Sequence, residues 1–387
     1  MRSKIHLCSL LPFIFGAFPF HVAGSICPDY SSYDTSLSLP FDWGHHKPLA
    51  LDATIQISID GQNISDVPID TGSTGLAVTA DLIPNFDPSD PSNTPGYLYY
   101  SSSHRLWSGY WVPKLVTIYG AGNTYLTTSC PILVVTEQII CKNFCQASGL
   151  CRDKNPTTSS GTLQYLGIGF GVDVFDNSQA KPDHNPLLNV QSINGEQINP
   201  AHFRTGYIFS KQGLQVGITA STSQDFQCTS LTPIRNQPFD YKRPPACATL
   251  LGQTLCGEGL TDSGIPYMFL RLPKNIIHLP HETLPWNTPI EISFGTDKDN
   301  SIGSYHFNYD GHPSDNSLAP ANVTILRPTE GLFFVNTGRH FFRGFDVLFD
   351  AEGGNWGLRD DSNVVQSPAS FLPTAQIING MFQLPLQ

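Results

Sequence analysis

Val67-Pro68-Ile69-Asp70-Thr71-Gly72-Ser73-Thr74 and, 192 positions later, Gly259-Leu260-Thr261-Asp262-Ser263-Gly264-Ile265-Pro266 decide how this chain reads. Each is a short approach segment, then Asp-(Thr/Ser)-Gly, then more apolar residues. The triplet occurs nowhere else in the chain. One copy would be an ordinary turn, because Asp bonds its own backbone and Gly accepts positive φ. Two copies, half a chain apart and each inside an apolar run, predict two half-sites that face one another. Carboxyls held that close cannot both ionise, so they share a proton. Such a pair can activate water as a base and protonate a substrate oxygen as an acid.

The rest of the chain suits that reading. At 387 residues it exceeds what one core usually fills, which predicts two lobes. Charged residues make up only 14 %, against 33 Gly and 31 Pro, a balance that favours short strands and turns over long helices. The net charge of −11 argues against nucleic acid as a partner and suits work in acid. Arg2 and Lys4, the apolar run Leu7 to Phe20, and Val22-Ala23-Gly24 read as a secretory signal over 1–24. No later run is long enough to span a membrane.

Beyond that signal stand Cys27, Cys130, Cys141, Cys145, Cys151, Cys228, Cys247 and Cys256. An even set in an exported chain implies disulfides of open connectivity. Cys141, Cys145 and Cys151 lack the companion ligands of a zinc site. Asn63-Ile64-Ser65 and Asn322-Val323-Thr324 are glycosylation sequons.

Thr54 to Ile59 alternates as a strand, and Asp60-Gly61 is a hairpin turn that returns the chain to Asp70. Residues 83–104 read as a surface loop rich in Pro, Ser and Asp. Trp111 to Ile118 and Tyr125 to Val135 read as strands joined by Tyr119-Gly120-Ala121-Gly122-Asn123. The second half repeats the plan through Tyr207 to Ile218, Thr249 to Leu255, Phe333 to Gly338 and Phe345 to Phe349. The predicted organisation is an N-terminal segment over 25–49, an N-terminal lobe over 50–200 and a C-terminal lobe over 201–362. The lobe junction falls near 196–207, and a surface tail covers 363–387.

Asp70-Thr71-Gly72-Ser73, Asp262-Ser263-Gly264 and the late stretch Gly338 to Asp350 resemble the pepsin family of aspartic proteases over roughly residues 50–360. The resemblance implies an all-β, bilobal fold of two pseudo-symmetric β-barrel lobes with a cleft between them. It implies Asp70 and Asp262 as the catalytic dyad, with Thr71 and Ser263 bonding across the lobe interface. Gly72 and Gly264 then let each backbone approach the opposite carboxyl, and Ser73 donates to Asp70. Tyr119, Gly120 and Gly122 resemble the tip of the family's flap. Tyr165-Leu166-Gly167 resembles the element that braces the first Asp loop, and a Cys247–Cys256 bridge is implied.

Three residues depart from the family pattern. Ile265 stands in place of a hydroxyl, which should raise the Asp262 pKa. Asn336-Thr337-Gly338 replaces the second brace and offers alternative hydrogen bonds, and Arg339 replaces an Asp. No basic pro-segment is evident before Asp70, so pH alone is expected to govern activity. The expected protein is a secreted, monomeric aspartic endopeptidase acting on peptide or protein, with no cofactor, metal, nucleic acid or membrane span. The alternative is a non-proteolytic binding or inhibitor protein on the same scaffold.

Overall fold

The computed structural model describes residues 26–145, 148–171, 179, 181–234, 238–273, 284–295, 300–309, 317–329 and 333–361. The expected signal at 1–24 and tail at 363–387 lie outside them. The chain is all-β. Among the described residues the only helical pieces are 3-10 turns of three to five residues. That follows from a sequence punctuated by Gly and Pro, with apolar residues at a period of two. In Thr54–Ile59, Ile55, Ile57 and Ile59 are buried while Gln56 is exposed.

Three sheets carry the architecture. A ten-stranded sheet takes strands from Thr54–Ile59 to Glu196–Gln197, and a seven-stranded sheet takes those from Pro245–Leu250 to Phe333–Asn336. The long strands Arg105–Tyr119 and Tyr125–Ile140 pair along their whole lengths and close the first sheet into a ring. A six-stranded sheet combines Leu37–Pro40 with strands from Gly206–Ser210 to Gln227–Ser230, and with Phe345–Asp350 and Asn355–Asp360. The chain therefore passes from the ten-stranded to the six-stranded sheet within 198–205.

One arrangement occurs twice. The strand Gln62–Asp70 pairs in parallel with Gln164–Ile168, which pairs antiparallel with Thr74–Thr79 beyond the first triplet. Likewise Gln253–Leu260 pairs in parallel with Phe333–Asn336, which pairs antiparallel with Met268–Pro273 beyond the second. Each Asp loop is thus a turn between two strands that embrace a third.

The main core runs through all three sheets, and Phe170 of the first half stacks on Phe349 of the second at 4.1 Å between centroids. Asp350, fully buried, is held by a two-pronged bond from Arg204 at 2.7 and 2.9 Å and by Tyr30 at 3.1 Å. This pairing satisfies a charge that would otherwise be costly to bury. It ties the N-terminal segment to the six-stranded sheet.

Three disulfides form: Cys27–Cys228, Cys141–Cys151 and Cys247–Cys256. The last joins residues directly opposite in register. The expectation that all eight cysteines pair needs correction, because Cys130 and Cys145 stand outside these bridges. Cys130 is 2 % exposed within a core strand and serves there as a small apolar side chain, its thiol pushed up to about 12 by burial. Three bridges suit an oxidising, extracellular setting. Both sequon asparagines, Asn63 and Asn322, are exposed. Among the described residues no helix is long and apolar enough to cross a membrane.

Candidate active site

Asp70 ends its strand, and Asp262 lies two residues beyond its own. Past each Asp the chain turns back and enters the strand that pairs antiparallel with the same neighbour. The turn is closed the same way twice: Gly72 N donates to Asp70 Oδ1 at 2.6 Å, and Gly264 N donates to Asp262 Oδ1 at 2.8 Å. Asp70 and Asp262 are only 4 % and 7 % exposed.

The two loops are stitched to one another. Thr71 Oγ1 accepts from Ser263 N at 2.9 Å and donates to Thr261 O at 2.6 Å. Ser263 Oγ accepts from Thr71 N at 3.1 Å and donates to Ile69 O at 3.0 Å. All four bonds are buried, so each is worth more than its exposed equivalent and is costly to lose. Glycine makes the close approach possible. A side chain on Gly72 would strike the Asp262 carboxyl, and one on Gly264 would come 2.6 Å from Asp70 Oδ1. Burial, and then the charge of Asp70, push the Asp262 carboxyl well above the usual carboxylate range.

Outside this stitched centre the halves differ. Asn336 Nδ2 donates to Asp262 Oδ2 at 2.6 Å, a bond from the brace rather than from residue 265. It opposes the upward shift without cancelling it. The rise expected from Ile265 therefore has another origin, in burial and the opposing carboxyl. Gly338, at φ +66, lets the brace turn tightly against Tyr267 and Ile265. Arg339, 5 % exposed, then reaches back to Asp52 Oδ1 at 2.5 Å, and its Nη2 also donates to Gly264 O at 3.4 Å.

On the Asp70 side, the structure gives no Ser73–Asp70 hydrogen bond. Ser73 Oγ is buried beside the Tyr100 hydroxyl, outside hydrogen-bonding geometry. Tyr165, whose phenol takes the room that a side chain on Gly264 would need, stands there in place of an amide. Burial pushes both tyrosine hydroxyls up, with the charge of Asp70 adding to the effect.

These groups line a cavity of about 680 Å³ between the ten- and seven-stranded sheets. One wall is the hairpin of Thr94–Tyr100 and Arg105–Tyr119, which presents Leu98 to Ser103, Arg105 and Trp107. The other includes Arg243, Ile265, Phe269, Arg271 and Phe334. Tyr100 packs on Trp107 at 4.4 Å and edge-on to Tyr165 at 5.8 Å.

Tyr119, Gly120 and Gly122 do not line this cavity. Tyr119 bonds Ser58 at 3.1 Å, and a side chain on Gly120 would meet Ser38 O at 2.8 Å. They occupy the opposite end of a fifteen-residue strand, about 45 Å along the chain from Arg105. The hairpin over the dyad is instead the one turning at 101–104, within the segment read as a surface loop.

Sequence reading missed Asp52, Tyr100, Arg243 and Arg271. Asp52 follows Leu51 with no motif around it. Tyr100 carries a signal only in hindsight, through the alternation Leu98, Tyr100 and the Ser-rich turn after it. As for metal, the one cluster of possible ligands among the described residues is Cys141, Cys151 and Asp153, and its two sulfurs are joined to each other. Compared with models of known protein families the chain matches none, and comparison with curated proteins finds no match.

Proposed function

We propose that this protein is a pepsin-like aspartic endopeptidase with a bilobal fold, whose substrate peptide lies in the cavity over Asp70 and Asp262. The observation that carries the reading is the reciprocal bonding of Thr71 and Ser263, which holds two buried carboxyls face to face. Rigid placement of that kind lowers a barrier, because the reacting groups need not be ordered during the reaction.

The chemistry follows from one proton held by two acids. A water between the carboxyls gives a proton to the ionised member as its oxygen attacks the peptide carbonyl. The protonated member donates to the carbonyl oxygen, giving a neutral tetrahedral diol. Collapse of the diol breaks the C–N bond, with one proton passing to the leaving nitrogen and one returning to the dyad. Burial and the facing charge of Asp70 raise the Asp262 carboxyl well above its usual range, so the pair retains one proton between them. The hairpin carrying Tyr99 and Tyr100 shields the site from water.

The binding-protein alternative rests on the departures at Ile265, Asn336 and Arg339 and on the lack of an evident basic pro-segment. Asn336 now has a use within an intact site, as the donor to Asp262. The test is hydrolysis of denatured globin by the purified protein from pH 3 to 6. Cleavage in that range, abolished by Asp70→Asn, is expected. No cleavage, together with a tight protein complex that survives Asp262→Ala, would favour the alternative.

A further inference from the structure

Three arginines, Arg105, Arg243 and Arg271, line the cavity of an acidic chain. Alternation along Met268–Pro273 buries Met268, Leu270 and Leu272 and turns Phe269 and Arg271 to the cavity. On the neighbouring strand the same rule presents Phe334 and Asn336. Their register is direct: Phe269 lies opposite Asn336, and Arg271 opposite Phe334. The Arg271 guanidinium sits 5.5 Å from the centre of the Phe334 ring, and that of Arg243 sits 5.0 Å from it. Arg105 faces them from the hairpin wall.

Three carboxyls, Asp52, Asp70 and Asp262, line the cavity as well. Asp52 is engaged by Arg339, and the dyad, holding one proton, carries one charge. Glu258 is opposite Phe334 in register but does not line the cavity. Among the described residues no carboxylate lies within ion-pair distance of Arg271 or Arg105. The chain as a whole carries −11, so arginines gathered on one cavity are a local feature.

We propose that Arg271 and Phe334, with Arg243 against the same ring, form a subsite for a Glu or Asp side chain of the peptide substrate. The proposal rests on the proteolytic reading of the same cavity. Phe334 is two residues from Asn336, which bonds Asp262, a spacing of about 7 Å. An extended peptide repeats its side chains on one face at that same interval, so the recognised carboxylate falls within two residues of the scissile bond. The ring supplies apolar contact to the side-chain methylenes and holds each guanidinium flat, and Arg271 supplies the charged hydrogen bond. A neutral side chain would leave Arg271 covered and unpaired, which is where the discrimination arises.

The test is cleavage profiling of a mixed peptide library at pH 5, followed by kcat/KM for matched peptides differing only in Glu or Gln at the selected position. The full-length protein is compared with Arg271→Gln, Arg271→Lys and Arg271→Glu. Expected is Glu or Asp enrichment at one fixed position and a Glu-to-Gln ratio of about ten. That ratio should fall to near one in Arg271→Gln, survive in part in Arg271→Lys, and invert toward Lys and Arg in Arg271→Glu. Wild-type cleavage without acidic enrichment, or a ratio unmoved by Arg271→Gln, would overturn the subsite and leave the protease standing. Absence of any cleavage by the wild type would overturn both. Should Arg271→Gln not fold, the wild-type ratio and its partial retention in Arg271→Lys decide the matter.

Discussion

The Asp70 and Asp262 loops are built alike at the centre and differently at the rim. Both close on an amide two residues ahead, and both are gripped by a hydroxyl from the other. At the rim, Asp262 receives an amide hydrogen bond from Asn336, whereas the Asp52 carboxyl engaged by Arg339 lies where it feels the charge of Asp70. Asp70 has the buried Tyr100 and Tyr165 phenols and a Ser73 hydroxyl that does not reach it. The lesson is that symmetry holds the carboxyls together, while the groups each carboxyl meets outside that centre differ.

The centre should break hardest. Asp70→Asn and Asp262→Asn each remove an acid–base partner, and each should lower kcat/KM by about 10²–10⁴-fold. Near-equal losses would show that the reaction needs both acids, whichever holds the resting proton. Next come Thr71→Val and Ser263→Ala, which each delete two buried bonds and leave backbone groups unpaired. Either should cost about 1–3 kcal/mol in denaturant unfolding, and the two losses should be similar because the grip is reciprocal. A large loss for one alone would mean that the loops are not equally held.

The rim sharpens the comparison. Asn336→Leu removes a donor to the Asp262 anion, so its pKa should rise further. The last proton then leaves the dyad at higher pH, and the alkaline limb of kcat should move upward. Activity at the optimum should fall about tenfold. A limb that moves downward would assign Asn336 to the neutral carboxyl instead.

The smallest effect is on stability. The folded-state pKa of Asp262 is raised, so the stability linked to its proton is full below the unfolded value, about 3.9, and is lost as pH rises through the folded value. Asp262→Asn has no proton to lose. Its Tm should therefore exceed that of the wild type increasingly from pH 4 to 7, by on the order of 2–4 °C. A constant difference across that range would contradict the assignment.

What was legible in the sequence was what local chemistry dictates. Asp-(Thr/Ser)-Gly demands its turn and Thr54–Ile59 alternates, whereas the Cys247–Cys256 bridge came only from the family resemblance. The covering hairpin was less legible, because Pro95, Gly96 and a run of serines look like loop. Its strand order comes from pairing along Arg105–Tyr119, not from its own propensity. The Gly-rich turn at 119–122 gave the same local signal as a flap but sits at the wrong end of that strand. Asn336 was foreseen as a donor from its place in the brace. Asp52 and Arg271 were not, because only tertiary register brings them to the cavity.

The central claim is that Asp70 and Asp262 act as one unit. Calorimetric binding of a statine-containing peptide at pH 4.5, whose tetrahedral hydroxyl takes the place of attacking water, tests it most directly. Tight binding by the wild type, weakened about 100-fold or more by either Asn substitution, is the result predicted. Equal binding by the wild type and both single variants, or none by any of them, would contradict it.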